Sequence, residues 1–367
     1  MMKDSNSTSG PLVLVLGAGA TRACKFVKAE TFSCIPPLDG DFFTQLQRVP
    51  DPKHRALIVA LMKSIVDIFG TNFSLTLETA FTTIEHTLRM LTATRSATAT
   101  KRKRELQETR DRLMEAISIV LEASIVGRGD TGRATHEPQD CVHHKALVER
   151  VLEGGDAVIS FNYDCVIDDA LRLHGKEKWN AKYGYGFKLG PHGADLTGHA
   201  HWSPGSIVDA KSTIHVHKLH GSLHFQFTEP SERARTKSRP SVLLKQRPYT
   251  KQRGTPRFSI IPPESNKTYD KGLFAGLWRN AAQGLSAAKH VVVVGYSFPA
   301  TDLHAASLFR TSLKSRGLNS LVVVNPDRAA RRRAREVMQS GLSPITRVVS
   351  FDSVAEFLAT DPSVWRG

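Results

Sequence analysis

Two short runs constrain this chain more than any other feature: Val291-Val292-Val293-Val294 and Leu321-Val322-Val323-Val324 are apolar at every position. A strand with one wet face alternates apolar and polar residues, so an unbroken run signals a strand covered on both faces. Similar stretches recur at Leu12 to Leu16, Ala157 to Phe161, His215 to Leu219, Phe258 to Ile261, His290 to Val294, Leu321 to Val324 and Arg347 to Val349. Helical patterns follow most of them. The expected class is therefore α/β, a doubly wound parallel sheet.

The first two strands are separated by about 140 residues with almost no strand signal, far more than a βαβ crossover needs. An inserted helical module over residues 22–150 is the simplest reading, with 1–21 and 151–367 forming the sheet domain. The clearest helix of the insert runs from Glu105 to Ile125, where Leu106, Leu113, Ile117, Val120, Leu121 and Ile125 share one face. Thr92 to Arg104, rich in Thr, Ala and basic residues, reads as an exposed connection. Two further segments read as loops: Trp179 to Ile214, with its glycines and histidines, and the basic, proline-containing Glu229 to Arg257.

Charge narrows the possible partners. The 367 residues carry a formal net charge of +15 at pH 7, enough to attract a polyanion. The basic runs Lys101 to Arg104, Arg233 to Arg257 and Arg328 to Arg335 offer nucleic acid a surface, although no aromatic residues are interleaved for stacking, and a solvated basic face is the competing account. The four cysteines, Cys24, Cys34, Cys141 and Cys165, show no C-x-x-C spacing, which argues against a zinc ribbon or a disulfide scaffold and suits a reducing cytoplasm. The N-terminus superficially resembles a secretory signal, but Asp4 cancels Lys3 and the apolar run Leu12 to Leu16 matches the other strands. No segment approaches the roughly 20 apolar residues of a membrane span.

The chemistry-bearing residues gather at strand ends, where α/β sheets bind ligands. After the first strand comes Gly17-Ala18-Gly19-Ala20-Thr21, a turn suited to dinucleotide phosphates, with Arg22 where the third glycine of G-x-G-x-x-G would stand. A tight turn without a ligand explains the same residues. Ser160-Phe161-Asn162-Tyr163-Asp164 ends another strand. Asn162 offers an amide donor and acceptor to a ribose hydroxyl or a water, and Asp164 serves equally as a cap for the helix beyond. Leu219-His220-Gly221 supplies an imidazole able to take a proton near neutral pH, with a glycine that permits close approach. His215, His217 and His224 nearby raise a metal alternative that no cysteine or carboxylate pair supports, so no metal is expected. Gly295-Tyr296-Ser297 and Asn325-Pro326-Asp327 complete the set, Ser297 suiting phosphate or ribose and Asn325 the adenosine ribose. Thr301, Asp302 and Asp327 are each explained as helix caps.

In order and kind these motifs resemble the Sir2 family, which implies a Rossmann-like NAD+-binding fold over about residues 12–350. The resemblance makes Asn162 and His220 catalytic. It assigns Gly17, Ala18, Gly19, Thr21, Gly221, Gly295, Ser297 and Asn325 to NAD+ binding and puts Asp164 near the nicotinamide carboxamide. The four-cysteine zinc module of the deacetylases is missing, and the sirtuin G-I-P-D-F-R segment is reduced to Cys34-Ile35-Pro36-Pro37 without an arginine. These departures bring the chain nearer to the bacterial Sir2-like branch of phage-defence systems, which hydrolyses NAD+.

The implied reaction breaks the bond between ribose C1′ and nicotinamide, with water as the final acceptor. A protein deacylase, an ADP-ribosyltransferase or a nucleic-acid-associated scaffold that binds nucleotide without turnover are the alternatives. Because an unrestrained NADase would starve its host, the reading also implies a regulated homo-oligomer, switched by a partner such as a ring-shaped ATPase or helicase of the same defence operon.

Overall fold

A computed structural model of the chain describes residues 10–27, 32–71, 74–92, 96–128, 134–138, 140–187, 189, 201–203, 213–228, 241–249, 260–262 and 272–366. Six strands build one sheet: β1 (Leu12–Leu16), β4 (Ala157–Ser160), β5 (His215–Lys218), β8 (His290–Val294), β9 (Ser320–Val324) and β10 (Arg347–Phe351). Two antiparallel ribbons lie apart from it, β2 (Val126–Arg128) with β3 (Ala134–Pro138), and β6 (Phe225–Thr228) with β7 (Ser241–Leu244). All neighbours in the large sheet are parallel and its order is β10-β9-β8-β1-β4-β5. Ranked by position along the chain and read from the β5 edge, that is 3-2-1-4-5-6, the dinucleotide-binding order, with its reversal between β1 and β8.

The apolar runs are explained by what lies on either side. In register, Leu14 sits between Val158 and Val292. Leu12, Leu14 and Leu16 enter one core with Val158, Val216, Val292 and Val322. Val13 and Val15 enter a second core on the opposite face with Ile159, Val291, Val293 and Leu321. Each fully buried side chain of this kind contributes roughly 1.5–3 kcal/mol of transfer free energy, so neither face tolerates the polar residue that alternation would place there.

Helices cover both faces. A short turn, α1 (Ala18–Arg22), follows β1, and the insert supplies α2 (Phe42–Gln47), α3 (Arg55–Phe69), α4 (Leu77–Thr92) and α5 (Ala97–Ile125). Then come α6 (Val142–Ala146), which runs on into a π-helical turn at Leu147–Val151, α7 (Val166–His174) and α8 (Ala181–Gly184). The chain finishes with α9 (Gly272–Ala287), α10 (Leu303–Ser312), α11 (Arg328–Val337), α12 (Val354–Ala359) and α13 (Ser363–Arg366). α9, α10 and α11 seal the valine face through Leu277, Ala281, Ala305, Phe309, Ala334 and Val337. The insert seals the other: Leu106, Leu113, Ile117, Val120, Leu121 and Ile125 of α5 are all buried, in a core continuous with the leucine face of β1.

Four expectations change. α5 begins at Ala97, where Ser96 accepts the Ala99 N–H at 3.0 Å, so residues 97–104 are helix and not a connection. Alanine, lysine and arginine favour a helix without contributing an apolar stripe, and residues 93–95 lie outside the described set. Of the expected strand Phe258 to Ile261, residues 258–259 lie outside the described set, and Ile260 makes an isolated antiparallel bridge to Gly221 instead of joining the parallel sheet. The insert, read as a helical module with almost no strand signal, also carries the β2–β3 ribbon. The two loop segments, where described, hold α8 and β7, the latter a β6 partner. Among the described residues no helix is long and apolar enough to cross a membrane.

Candidate functional site

Where β1 and β8 end side by side, three glycines interlock. Gly17 N–H donates to Val294 O at 3.0 Å and Gly19 N–H to Gly295 O at 2.9 Å. A Cβ on Gly17 would stand 2.5 Å from Tyr296 Cα, and one on Gly19 2.8 Å from Gly295 Cα. On Gly295, whose φ is +65°, it would stand 2.1 Å from Ala20 N. These glycines therefore let two strand-end turns touch, and two of the turn's N–H groups are already engaged there.

The turns open onto a cavity of about 750 Å³, inside the roughly 300–1,000 Å³ typical of small-molecule sites. Nine of the eleven site residues expected from sequence line it: Ala18, Gly19, Thr21, Asn162, Asp164, His220, Gly295, Ser297 and Asn325. Gly17 and Gly221 do not. Gly17 is absorbed by its contact with Tyr296. Gly221 adopts φ +84° in the turn after β5, with its N–H on Lys218 O, a backbone conformation that by itself calls for glycine.

Asn162 is fixed by donating its side-chain amide to Gly17 O and to Thr21 Oγ1, both at 3.0 Å. Its Oδ1 is the atom left for the cavity. The Thr21 hydroxyl donates a hydrogen bond to Asp164 Oδ2 at 2.7 Å, while Asp164 Oδ1 accepts the Val166 N–H at 3.0 Å. Asp164 is thus not the N-cap of α7, which is Cys165; from one residue earlier its carboxylate takes the first helical N–H and ties the first strand end to the second.

His220 projects from the end of β5. Its Nε2 lies 3.2 Å from Asp302 Oδ2, the same oxygen that accepts the Tyr296 hydroxyl at 2.8 Å. The imidazole stands edge-on to Phe161 at 5.1 Å, and Phe161 stacks on Tyr296 at 4.1 Å. Asp302 does cap α10, but it is also the carboxylate partner of the histidine. Sequence reading gave it only the first role, because nothing in the spacing ties residue 302 to residue 220.

The far wall comes from the insert and the C-terminal strands. Pro36, Leu38, Ile117 and Leu121 supply apolar surface, and Asp327, Asp352 and Ser353 lie near Asn325 at the ends of β9 and β10. Asn325 Oδ1 accepts the Asp327 N–H at 3.0 Å, which leaves its amide nitrogen for a ligand. Arg22, in the place of the third glycine, lines the cavity while held by Asp41 and Pro36 O. These groups fit a dinucleotide: acidic and amide groups suit ribose hydroxyls, and the apolar walls suit flat rings.

A buried polar network supports β5 from behind. Lys218, fully buried, donates to Asp168 Oδ2 at 2.9 Å and to Asp164 O. Burial pushes the Asp168 carboxyl up, but Lys218 beside it outweighs that and holds it below the usual range; Lys218 is held above its own. Tyr185 donates to Asp168 Oδ1 at 2.7 Å and meets His224 Nε2 at 2.9 Å. Burial lowers His224 and His217 each to about 3.

Two groups of three potential metal donors occur among the described residues: Cys24, Cys141 and His144, and Cys165, Asp168 and His224. His215 and His217, whose rings stack 6.4 Å apart, belong to neither. In the first group Cys141 is drawn down to about 3, chiefly by a hydrogen bond from Cys24, whose own thiol burial pushes well up.

No curated protein matches this chain. A family model described as a SIR2-like domain matches residues 156–345, a span that includes Asn162, Asp164, His220, Ser297 and Asn325. The turn at Gly17 lies outside the match and is brought to the same cavity by the pairing of β1 with β4 and β8. SIR2-like domains bind NAD+ and are typically NAD-dependent enzymes. The match spans more than half of the sequence, and this chain belongs to the SIR2-like family.

Proposed function

We propose that the chain is an NAD+ hydrolase that releases nicotinamide and ADP-ribose. The observation behind this reading is the convergence, in one cavity, of a fixed Asn162 carbonyl oxygen and a carboxylate-paired His220 with the glycine turn between β1 and β8. Cleavage of the C1′–nicotinamide bond builds positive charge on the ribose and needs a water or hydroxyl as acceptor. Asn162 orients that acceptor through Oδ1, since its two N–H groups are committed. His220 takes the proton that the acceptor loses, a role worth roughly 10²–10⁴-fold, and Asp302 balances the charge the ring then gains. Phe161, Tyr296 and the apolar wall of the insert limit bulk water.

The same reading makes the protein cytoplasmic and assigns it to defence by NAD+ depletion, as a homo-oligomer held off until a partner ATPase or helicase, or nucleic acid on its basic surfaces, releases it. The test is to incubate pure protein with NAD+ and follow free nicotinamide. Asn162→Ala and His220→Ala are expected to abolish release while remaining folded. Turnover that persists in both variants refutes the assignment, and release that appears only with an acyl-lysine peptide makes the protein a deacylase instead.

A further inference from the structure

Behind the glycine turn the insert crosses the first strand's exit. Phe26 pairs with Cys141 as an antiparallel bridge, Val27 N–H donates to Asp140 O at 2.8 Å and Val142 N–H to Lys25 O at 2.7 Å. The crossing brings three donors together from segments far apart in sequence. Cys141 Sγ lies 3.3 Å from His144 Nδ1, Cys24 Sγ lies 3.7 Å from the same nitrogen, and all three atoms are within 4.8 Å of one another. With Zn–S of about 2.3 Å and Zn–N of about 2.0–2.1 Å, a tetrahedral site has an S···N edge of about 3.6 Å. The two observed separations straddle that edge.

We propose that Cys24, Cys141 and His144 form a zinc site, with water in the fourth position. Cys141 and His144 are buried and Cys24 is half-buried, so the donors are sheltered without a fourth protein ligand. The other group of three does not qualify. Asp168 there has one oxygen on Lys218 and the other on Tyr185, and His224 is engaged by Tyr185 and Ser222. The Lys218 ammonium already supplies the cation. The zinc site instead joins the exit of α1 to the start of α6, one residue from Ala23 and His143, both on the cavity wall. His143 Nδ1 itself meets Ala23 O at 2.8 Å. The metal therefore braces the nucleotide side of the cavity against the insert, and this inference stands whether or not the chain hydrolyses NAD+.

The full-length protein, purified without chelator, is analysed by elemental mass spectrometry. About one equivalent of zinc per chain is expected, lost in Cys141→Ser and in His144→Ala and retained in Cys165→Ser. Should the first two variants fail to fold, chelator-stripped wild type titrated with Co²⁺ gives a second reading, because thiolate ligation produces sulfur-to-cobalt charge-transfer absorption and tetrahedral d–d bands. Zinc that survives Cys141→Ser, or is lost from Cys165→Ser alone, overturns the proposal. So does a wild-type protein that carries no zinc and shows no thiolate–cobalt absorption, in which case the cluster is a hydrogen-bonded thiol–imidazole group.

Discussion

Asp302 separates a structural role from a chemical one within a single side chain. Replacing it with alanine removes the cap of α10, costing about 0.5–2 kcal/mol. It also takes from the buried Tyr296 hydroxyl its carboxylate acceptor, a further cost of about 1–3 kcal/mol. A total of about 1.5–5 kcal/mol follows for Asp302→Ala. Asp302→Asn keeps an oxygen for the Ala305 N–H, now 3.4 Å from Oδ1, so the cap survives and the expected loss is only about 1 kcal/mol. The amide nevertheless lacks the negative charge at 3.2 Å from His220 Nε2. If that charge balances the imidazolium, nicotinamide release should fall by roughly 10²–10⁴-fold in both variants. Denaturant unfolding beside an NAD+ turnover assay resolves the two effects. An Asp302→Asn protein that is folded and turns over at the wild-type rate would refute the pairing as functional.

Three other perturbations test the fold around the site. Lys218→Met strands the buried Asp168 carboxylate and should cost about 3–5 kcal/mol in urea unfolding, part of it recovered by adding Asp168→Asn; a single variant as stable as wild type would show that the pair contributes nothing. Acidification should destabilise the protein, because His217 and His224 titrate near 6.5 when unfolded but only near 3 when folded. The unfolded state therefore binds more protons throughout that window, and stability present above pH 6.5 is lost as the pH falls. Asp169, raised to about 7 by burial, works in the opposite sense: between about 4 and 7 the folded form holds the extra proton. Asp169→Asn should thus steepen the acid loss, and a shallower pH–stability curve would contradict the argument.

Strands are legible in this sequence where burial on both faces leaves no alternation to interpret, as in Val291 to Val294. Strand-end chemistry is legible too, because the sheet must present Asn162, His220, Ser297 and Asn325 on one edge. The insert is harder. The first two turns of α5 carry no apolar stripe, since of their residues only Ala99 is buried, and the buried half from Leu106 onward is what announces a helix. The carboxylate at residue 302 reads as a cap because capping is local and leaves a local signature, whereas its contact with residue 220 depends on how β5 and β8 lie in the sheet. The donor cluster at Cys24 escaped for a related reason. Cys141-Val-His-His144 has C-x-x-H and not C-x-x-C spacing; it presents two donors within one helical turn, but the third comes from the far side of the insert.

The register of β1 has a consequence for how the molecule is made. The partners of Leu14 are Val158 and Val292, so the earliest made of the six sheet strands becomes the middle of the sheet and is flanked by segments synthesised long afterwards. Until residue 158 emerges, the stretch Leu12 to Leu16 has neither neighbour, and its second edge stays open until residue 292. Pairings so distant in sequence close slowly, and an apolar strand with open edges is prone to aggregate while it waits. During that interval the helices of the insert, made next, are available to shelter its leucine face. A chain with the insert deleted should consequently lose soluble yield during synthesis before any effect on the finished sheet is measured.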